Sequence, residues 1–284
     1  MEPYIIDGKK ISKDIKDELK KKVADYKAKG IEITLAVIQI GDDPASTVYV
    51  RNKKKACEYI GINSESYELP KDTSEEELLE LIDKLNNDPA VNGILVQLPV
   101  PDYIKPMNVI NAIAPEKDVD GFSPYSVGCL NLGVNGFLSC TPAGIVELLN
   151  RSNIEIDGQH CVIVGRSNIV GKPMASLMLN NNATVTITHS HTKNLKEICK
   201  TADILIVGLG KKGFITSEYV KEGAVVIDVG IHRDENNKLS GDVDYDDVAP
   251  HCSAITPVPG GVGPMTIAML MYNCVKSVEL TQNI

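Results

Sequence analysis

Tyr49 and Lys53 stand four residues apart in S-T-V-Y-V-R-N-K-K-K-A, so on a helix both project from one face. A lysine beside apolar surface and a phenol has its ammonium disfavoured, and its usual pKa of about 10.4 can fall toward neutrality. That is the preparation a lysine needs for proton transfer. The basic run Arg51, Lys53, Lys54 and Lys55 also fits a solvated surface, but helical spacing lays only Lys53 over Tyr49. Gln97 ends the strand-like run Val96-Gln97-Leu98 before Pro99. It either satisfies backbone groups or holds a neighbouring lysine amine. Asp120, in P-E-K-D-V-D-G-F, suits an Asx turn or a helix cap. It suits equally a carboxylate that pairs with an amino-substituted heterocycle.

A second chemistry lies in Val164 to Pro173, V-G-R-S-N-I-V-G-K-P, between an apolar run and a helical pattern. Strand, glycine turn and helix N-terminus in that order cradle a dinucleotide's phosphates with backbone N–H groups and the helix dipole. The spacing departs from G-x-G-x-x-G: after Gly165 and Arg166, Ser167 stands at the second glycine's place and Gly171 comes late. NAD-binding folds carry an acid at the end of the next strand, for the ribose 2′-hydroxyl. Here that strand ends Thr188-His189-Ser190-His191-Thr192, without one. With Arg166 in the turn, a 2′-phosphate is favoured, hence NADP over NAD; otherwise Arg166 makes a surface ion pair. Thr256 to Thr266, T-P-V-P-G-G-V-G-P-M-T, fixes a tightly turned backbone that presses against a flat ring or serves as a rigid linker.

The elements that must position these residues alternate. Ile11, Ile15, Leu19 and Val23 make one apolar helical stripe, and Leu35 to Ile40 is a buried strand. A second helix covers Ser46 to Tyr59 with Ser46 as its cap; a third covers Thr73 to Asn86 behind T-x-x-E and S-x-x-E capping boxes. Val91 to Leu98 is a strand, and Thr141-Pro142 opens a helix to Leu149. Strands follow at Cys161 to Val164, Thr184 to Thr188, Asp203 to Val207, Ala224 to Val229 and Ala254 to Ile255, with a hairpin turn at Asn236-Asn237. The pattern predicts two α/β domains: residues 1–140 with a largely parallel sheet, and 141–263 as a Rossmann-like doubly wound parallel sheet. The last helix, within about 264–284, is expected to return to the first domain.

The 284 residues suffice for two cores, and 43% hydrophobic with 24% charged content is that of a soluble globular chain. No apolar run approaches the roughly 18 residues of a membrane span. The N-terminus lacks a signal core, so a cytoplasmic protein is expected. A net charge of −9 argues against nucleic-acid partners. Seven scattered cysteines without C-x-x-C predict reduced thiols, and His189 and His191 lack a nearby third ligand, so no metal site is expected.

S-T-V-Y-V-R-N-K-K-K-A, V-Q-L-P, K-D-V-D-G-F, C-T-P-A-G, G-R-S-N-I-V-G-K-P and T-P-V-P-G-G-V-G-P-M-T occur in this order over nearly the whole chain. Together they resemble the bifunctional methylenetetrahydrofolate dehydrogenase/cyclohydrolase (FolD) family. The resemblance implies an N-terminal folate domain, a C-terminal NADP domain with a cleft between them, and a homodimer. It implies NADP-dependent oxidation of 5,10-methylenetetrahydrofolate to the 5,10-methenyl form, then hydrolysis to 10-formyltetrahydrofolate. By resemblance, Lys53 moves the proton of the hydrolytic step, Tyr49 packs on the folate, Gln97 tunes Lys53 and Asp120 binds the pterin. Val96, Leu98, Pro259, Gly260 and Gly261 lie beside the substrate. Gly165, Arg166, Ser167, Ser190 and Ile231 hold NADP, with Arg166, Ser167 and Ser190 on its 2′-phosphate side. Ser139 stands where the family commonly has proline, a departure that would loosen a hinge. The alternatives are a dehydrogenase without the hydrolytic step and a non-catalytic NADP sensor.

Overall fold

The structure is a computed structural model that describes residues 2–282. In chain order its elements are β1 (Tyr4–Ile5), α1 (Gly8–Ala28), β2 (Thr34–Ile40), α2 (Pro44–Ile60), β3 (Asn63–Leu69), α3 (Glu75–Asn86), β4 (Gly93–Val96), α4 (Pro106–Ala112), α5 (Pro124–Leu132) and α6 (Cys140–Arg151). Then come β5 (His160–Val164), α7 (Gly171–Asn180), β6 (Thr184–Thr188), α8 (Leu195–Cys199), β7 (Ile204–Val207) and β8 (Ala224–Asp228). The short hairpin β9 (His232–Arg233) and β10 (Leu239–Ser240), α9 (Tyr245–Val248), β11 (Cys252–Ile255) and α10 (Val262–Gln282) complete the run.

Two compact units result. One comprises Lys13–Leu138 with Ile267–Ile284, the other Met1–Ser12 with Ser139–Thr266. The sequence reading gave the first twelve residues to the N-terminal domain. They belong instead with the second unit, because β1 pairs in parallel with β11 through Tyr4–Ala254 and Ile5–Ile255. The final helix divides too: α10 contributes its residues from Ile267 onward to the first unit.

The first unit has a parallel sheet in the order β3-β2-β4. All seven residues of β2 are buried, as a central strand covered on both faces requires. On α3, Leu78, Ile82 and Leu85 are buried. Its capping box is the S-x-x-E one: the Glu77 amide donates to Ser74 Oγ at 3.2 Å and the Ser74 amide to Glu77 Oε2 at 2.8 Å. At α2 the cap is Asp43 rather than Ser46; Asp43 Oδ2 accepts from the Ser46 amide at 2.8 Å, and Ser46 itself is buried. The Asn273 side chain on α10 donates to the Val119 and Leu138 carbonyls, at 2.8 and 2.9 Å. Those bonds tie the end of the chain into this unit.

The second unit has a six-stranded parallel sheet in the order β1-β11-β8-β7-β5-β6. From β5 the chain crosses through α7 to β6 on one side, then returns past β5 to β7. The strand order therefore reverses between β5 and β7, a switch point at the C-terminal edge. Buried Val162, Leu205 and Val226 from β5, β7 and β8 pack together in its core. The expected hairpin turn is present: Asp234 Oδ1 accepts from the Asn236 and Lys238 amides, and Asn237 takes φ 62°. Among the described residues no helix is long and apolar enough to cross a membrane.

Candidate functional site

In the first unit, chemistry gathers at the C-terminal edge of the small sheet. Of the basic run on α2, Lys53 alone is buried, at 8% exposure, while Arg51, Lys54 and Lys55 face solvent. Ala56 and Cys57 carry the same helix into the core. Gln97 follows β4 directly, and Lys53 Nζ donates to Gln97 Oε1 at 3.0 Å. The other end of that amide is fixed as well, Nε2 donating to the Leu98 carbonyl at 2.7 Å. Gln97 thus does both things open to it, presenting an acceptor to the lysine and a donor to a backbone carbonyl. Val96 is buried, Leu98 is half-buried, and Tyr49, one turn before Lys53, is 38% exposed.

Asp120 is brought to the same place by a turn that buried groups hold. Lys117 is buried, and its Nζ donates to the Leu85 and Asp88 carbonyls at 2.8 and 2.7 Å, anchoring the segment to the end of α3. Burial pushes the Lys117 pKa down. The next acid, Asp118, accepts from the Phe122 and Ser123 amides and from Ser126 Oγ, at 3.2, 2.8 and 2.7 Å. The side chain that holds this turn is therefore that of Asp118, not Asp120, and it does so by longer-range bonds than an Asx turn makes. Desolvation raises the Asp120 pKa to about 6; the Lys53 ammonium opposes that rise and the Asp118 charge adds to it. Lys53, bonded to Gln97, thus stands near enough for its charge to act on Asp120.

The second unit carries the phosphate turn. Gly165 takes φ 127°, and a Cβ there would lie 2.2 Å from the Gly208 carbonyl oxygen. A Cβ on Gly171, the first residue of α7, would lie 2.2 Å from the Gly165 carbonyl oxygen. Both glycines are therefore required by close backbone approach, which explains the unusual spacing. Ser167 Oγ accepts from the Val170 and Gly171 amides at 3.2 and 3.3 Å, capping the entry to α7. Arg166 is exposed beside the end of β6, near enough that its charge lowers the pKa of His189 together with burial, the larger cause, and His191. Ser190 is exposed in the same turn. A close-walled glycine turn, a helix N-terminus and a cation beside the second strand fit a dinucleotide with a 2′-phosphate.

The loop Thr256–Gly261 has a cis Val258–Pro259 bond and Gly260 at φ 111°. The Gly260 carbonyl accepts from the Lys9 amide at 3.0 Å, and a Cβ on Gly8 would strike the Gly261 carbonyl oxygen. Pro259 is exposed, Gly260 and Gly261 are buried, and exposed Ile231 has Gly263 as a neighbour. Pro259, Gly260, Gly261, Gly165, Arg166, Ser167, Ser190 and Ile231 belong to one unit; Tyr49, Lys53, Gln97 and Asp120 belong to the other. Ser139 does not leave its position slack: its Oγ donates to the Ile169 carbonyl of the phosphate turn at 2.8 Å, a bond proline could not make. Sequence reasoning missed Lys117 and Asp118, although both stand inside the K-D-V-D-G-F motif.

Comparison with known proteins agrees with this geometry. Residues 6–120 match the tetrahydrofolate dehydrogenase/cyclohydrolase catalytic domain, and residues 139–282 match the NAD(P)-binding domain of the same proteins. The chain belongs to the tetrahydrofolate dehydrogenase/cyclohydrolase family. The bifunctional protein FolD of Lachnoclostridium phytofermentans is 70% identical over 98% of this chain and 99% of its own. The crystal structure of the bifunctional FolD enzyme from Campylobacter jejuni superposes with a TM-score of 0.96 at 52% identity, covering 98% of this chain and 99% of that one. The Trypanosoma brucei FolD structure, complexed with NADP cofactor and inhibitor, has a TM-score of 0.94 at 37% identity, with all of both chains covered. As a member of this family the chain is a bifunctional enzyme of folate one-carbon metabolism, methylenetetrahydrofolate dehydrogenase and methenyltetrahydrofolate cyclohydrolase, with NADP as its cofactor.

Asp120 makes a pH-dependent contribution to stability whose sign is fixed. Its folded-state pKa of about 6 lies above the ordinary carboxylate value. Between those values the native chain keeps a proton that the unfolded chain has lost, so stability falls as pH rises through the window. Asp120→Asn removes that slope. In urea unfolding at pH 4 and pH 7, the variant is expected to gain on the parent by on the order of 2 kcal/mol at the higher pH. A pH-independent difference would refute the shift.

Proposed function

We propose that Lys53 is the proton-transfer residue of the cyclohydrolase step, and the observation that carries the reading is its 3.0 Å bond to Gln97 in a buried setting. Water adds to the amidinium carbon of 5,10-methenyltetrahydrofolate. Lys53 takes a proton from that water and returns one as the C–N5 bond opens, leaving 10-formyltetrahydrofolate and one released proton. Gln97 holds the amine in place through its fixed carbonyl, so the lysine meets the reacting carbon without reorganisation. Asp120 accepts from the N–H groups of the pterin, and Tyr49 packs on the folate ring. Val96, Leu98 and the Pro259-Gly260-Gly261 backbone border the substrate.

NADP, when bound, supplies the acceptor for the hydride lost from the methylene carbon. Gly165 and the N-terminus of α7 would hold its phosphates, Arg166, Ser167 and Ser190 its 2′-phosphate side, and the Ile231 backbone would contact the cofactor. The retained lysine constellation favours the bifunctional reading over a dehydrogenase alone. We further place the enzyme in the cytoplasm, supported by seven buried free thiols. We also propose a homodimer, supported by the open edge of β3, which pairs only with β2 among the described residues. Light scattering is expected to give twice the chain mass; a monomer at micromolar concentration would overturn the dimer.

Lys53→Met should abolish cyclohydrolase activity and leave part of the dehydrogenase activity, measured by following NADPH and the methenyl absorbance separately. Equal loss of both would mean that Lys53 binds substrate or supports the fold. Arg166→Ala should weaken NADP by about tenfold or more and NAD far less, the scale of losing one charged partner. Equal weakening of both nucleotides, measured by titration, would sink the 2′-phosphate assignment.

A further inference from the structure

We infer that Asp242 is a positioning residue for the nicotinamide half of the cofactor, held in that role by His232; the inference rests on the dehydrogenase reading above. Strand order locates the relevant loops. Arg166 and Ser190 mark the 2′-phosphate side, at the ends of β5 and β6, and the phosphate turn follows β5. In the order β8-β7-β5-β6, a dinucleotide lying along this edge carries its other half over the ends of β7 and β8. The segments there are Gly208-Leu209-Gly210 and Val229-Gly230-Ile231.

Asp242 joins them from beneath. It is wholly buried, and its Oδ2 accepts from the Leu209 and Gly210 amides at 2.7 and 2.9 Å. Its Oδ1 accepts from His232 Nε2 at 2.7 Å. Asp228, at the end of β8, holds the next layer: its carboxylate accepts from the Gly230, Asp242 and Val243 amides at 2.9, 3.0 and 3.0 Å. The Asp228 amide donates to Thr256 Oγ1 at 2.8 Å, which extends the same network to the start of the Pro-Gly loop. Fit is close throughout. A Cβ on Gly241 would lie 1.8 Å from Asp228 Oδ2, and one on Gly230 would lie 2.5 Å from Asp242 Cγ.

A carboxylate so buried is costly to leave short of donors. Among the described residues His232 is the one side chain bonded to it, so losing that donor loosens the carboxylate that fixes Leu209 and Gly210. The backbone of the β7 loop would then lose its fixed height above the sheet. Reacting partners that drift by an ångström lose rate steeply. The proton-transfer pair proposed for the hydrolytic step, Lys53 and Gln97, sits in the other unit and makes no use of the Leu209–Gly210 loop.

The test compares His232→Leu with His232→Gln, which can return an N–H to Asp242. Four readouts are taken: amide exchange across residues 208–213, NADP affinity, dehydrogenase kcat and cyclohydrolase activity. For the leucine variant we expect faster exchange in that segment, dehydrogenase kcat down by about tenfold or more, and cyclohydrolase within about twofold of the parent. The glutamine variant is expected to recover most of the loss. Unchanged dehydrogenase kcat in the leucine variant overturns the inference. So does a joint fall of both activities that glutamine does not rescue. A parent chain without NADP-dependent turnover would overturn the dehydrogenase reading itself and the inference with it.

Discussion

Parallel strands bring all their C-terminal ends to one edge, and a gap opens there where successive right-handed crossovers leave toward opposite sides of the sheet. Both units of this chain use that constraint. In the small sheet, β2 is flanked by β3 and β4, and the residue after β4 is Gln97, within a hydrogen bond of a lysine on α2. In the large sheet the gap falls between β5 and β7, where Gly165 closes against Gly208. Reactive side chains therefore stand on helices and strand ends, whose positions are set by packing.

Charge burial is handled by one recurring device. Lys53 meets an amide oxygen, Lys117 two backbone carbonyls, and Asp118, Asp228 and Asp242 sets of backbone amides. Each charged group gains the partners that burial demands, and each loop gains an anchor at its centre. Asp120 differs. Desolvation raises its pKa to about 6, as it does that of Asp228, but Asp228 is met by three backbone amides whereas the charge that opposes the rise at Asp120 is that of Lys53.

Much of this was legible because period and punctuation agreed. The Ile11–Val23 stripe, the S-x-x-E box of α3 and the buried strands of the large sheet carry their own signals. β3 did not: Asn63–Leu69 is a polar, half-exposed edge strand, with no apolar run to mark it. β1 is two residues long, and its membership in the second unit depends on a partner about 250 residues away. Lys53 was readable from its spacing to Tyr49, but its burial was set by tertiary packing. Whether Asp118 or Asp120 takes the turn was beyond local rules, since both stand in a turn-prone segment. The Asp228–Asp242–His232 network was invisible for the same reason: its members touch only when three loops meet.

The units do not coincide with stretches of sequence. The chain passes from one unit to the other at residues 12/13, 138/139 and 266/267, and two of those passages fall inside the continuous helices α1 and α10. A gene divided at residue 138 would yield two fragments, each lacking a part of its own core. The amino-terminal fragment would lack Asn273, which ties Val119 to Leu138. The carboxy-terminal fragment would expose β11 as a raw edge where β1 belongs. Recombination between relatives would meet the same obstacle, so the two halves of this enzyme are expected to be inherited as one.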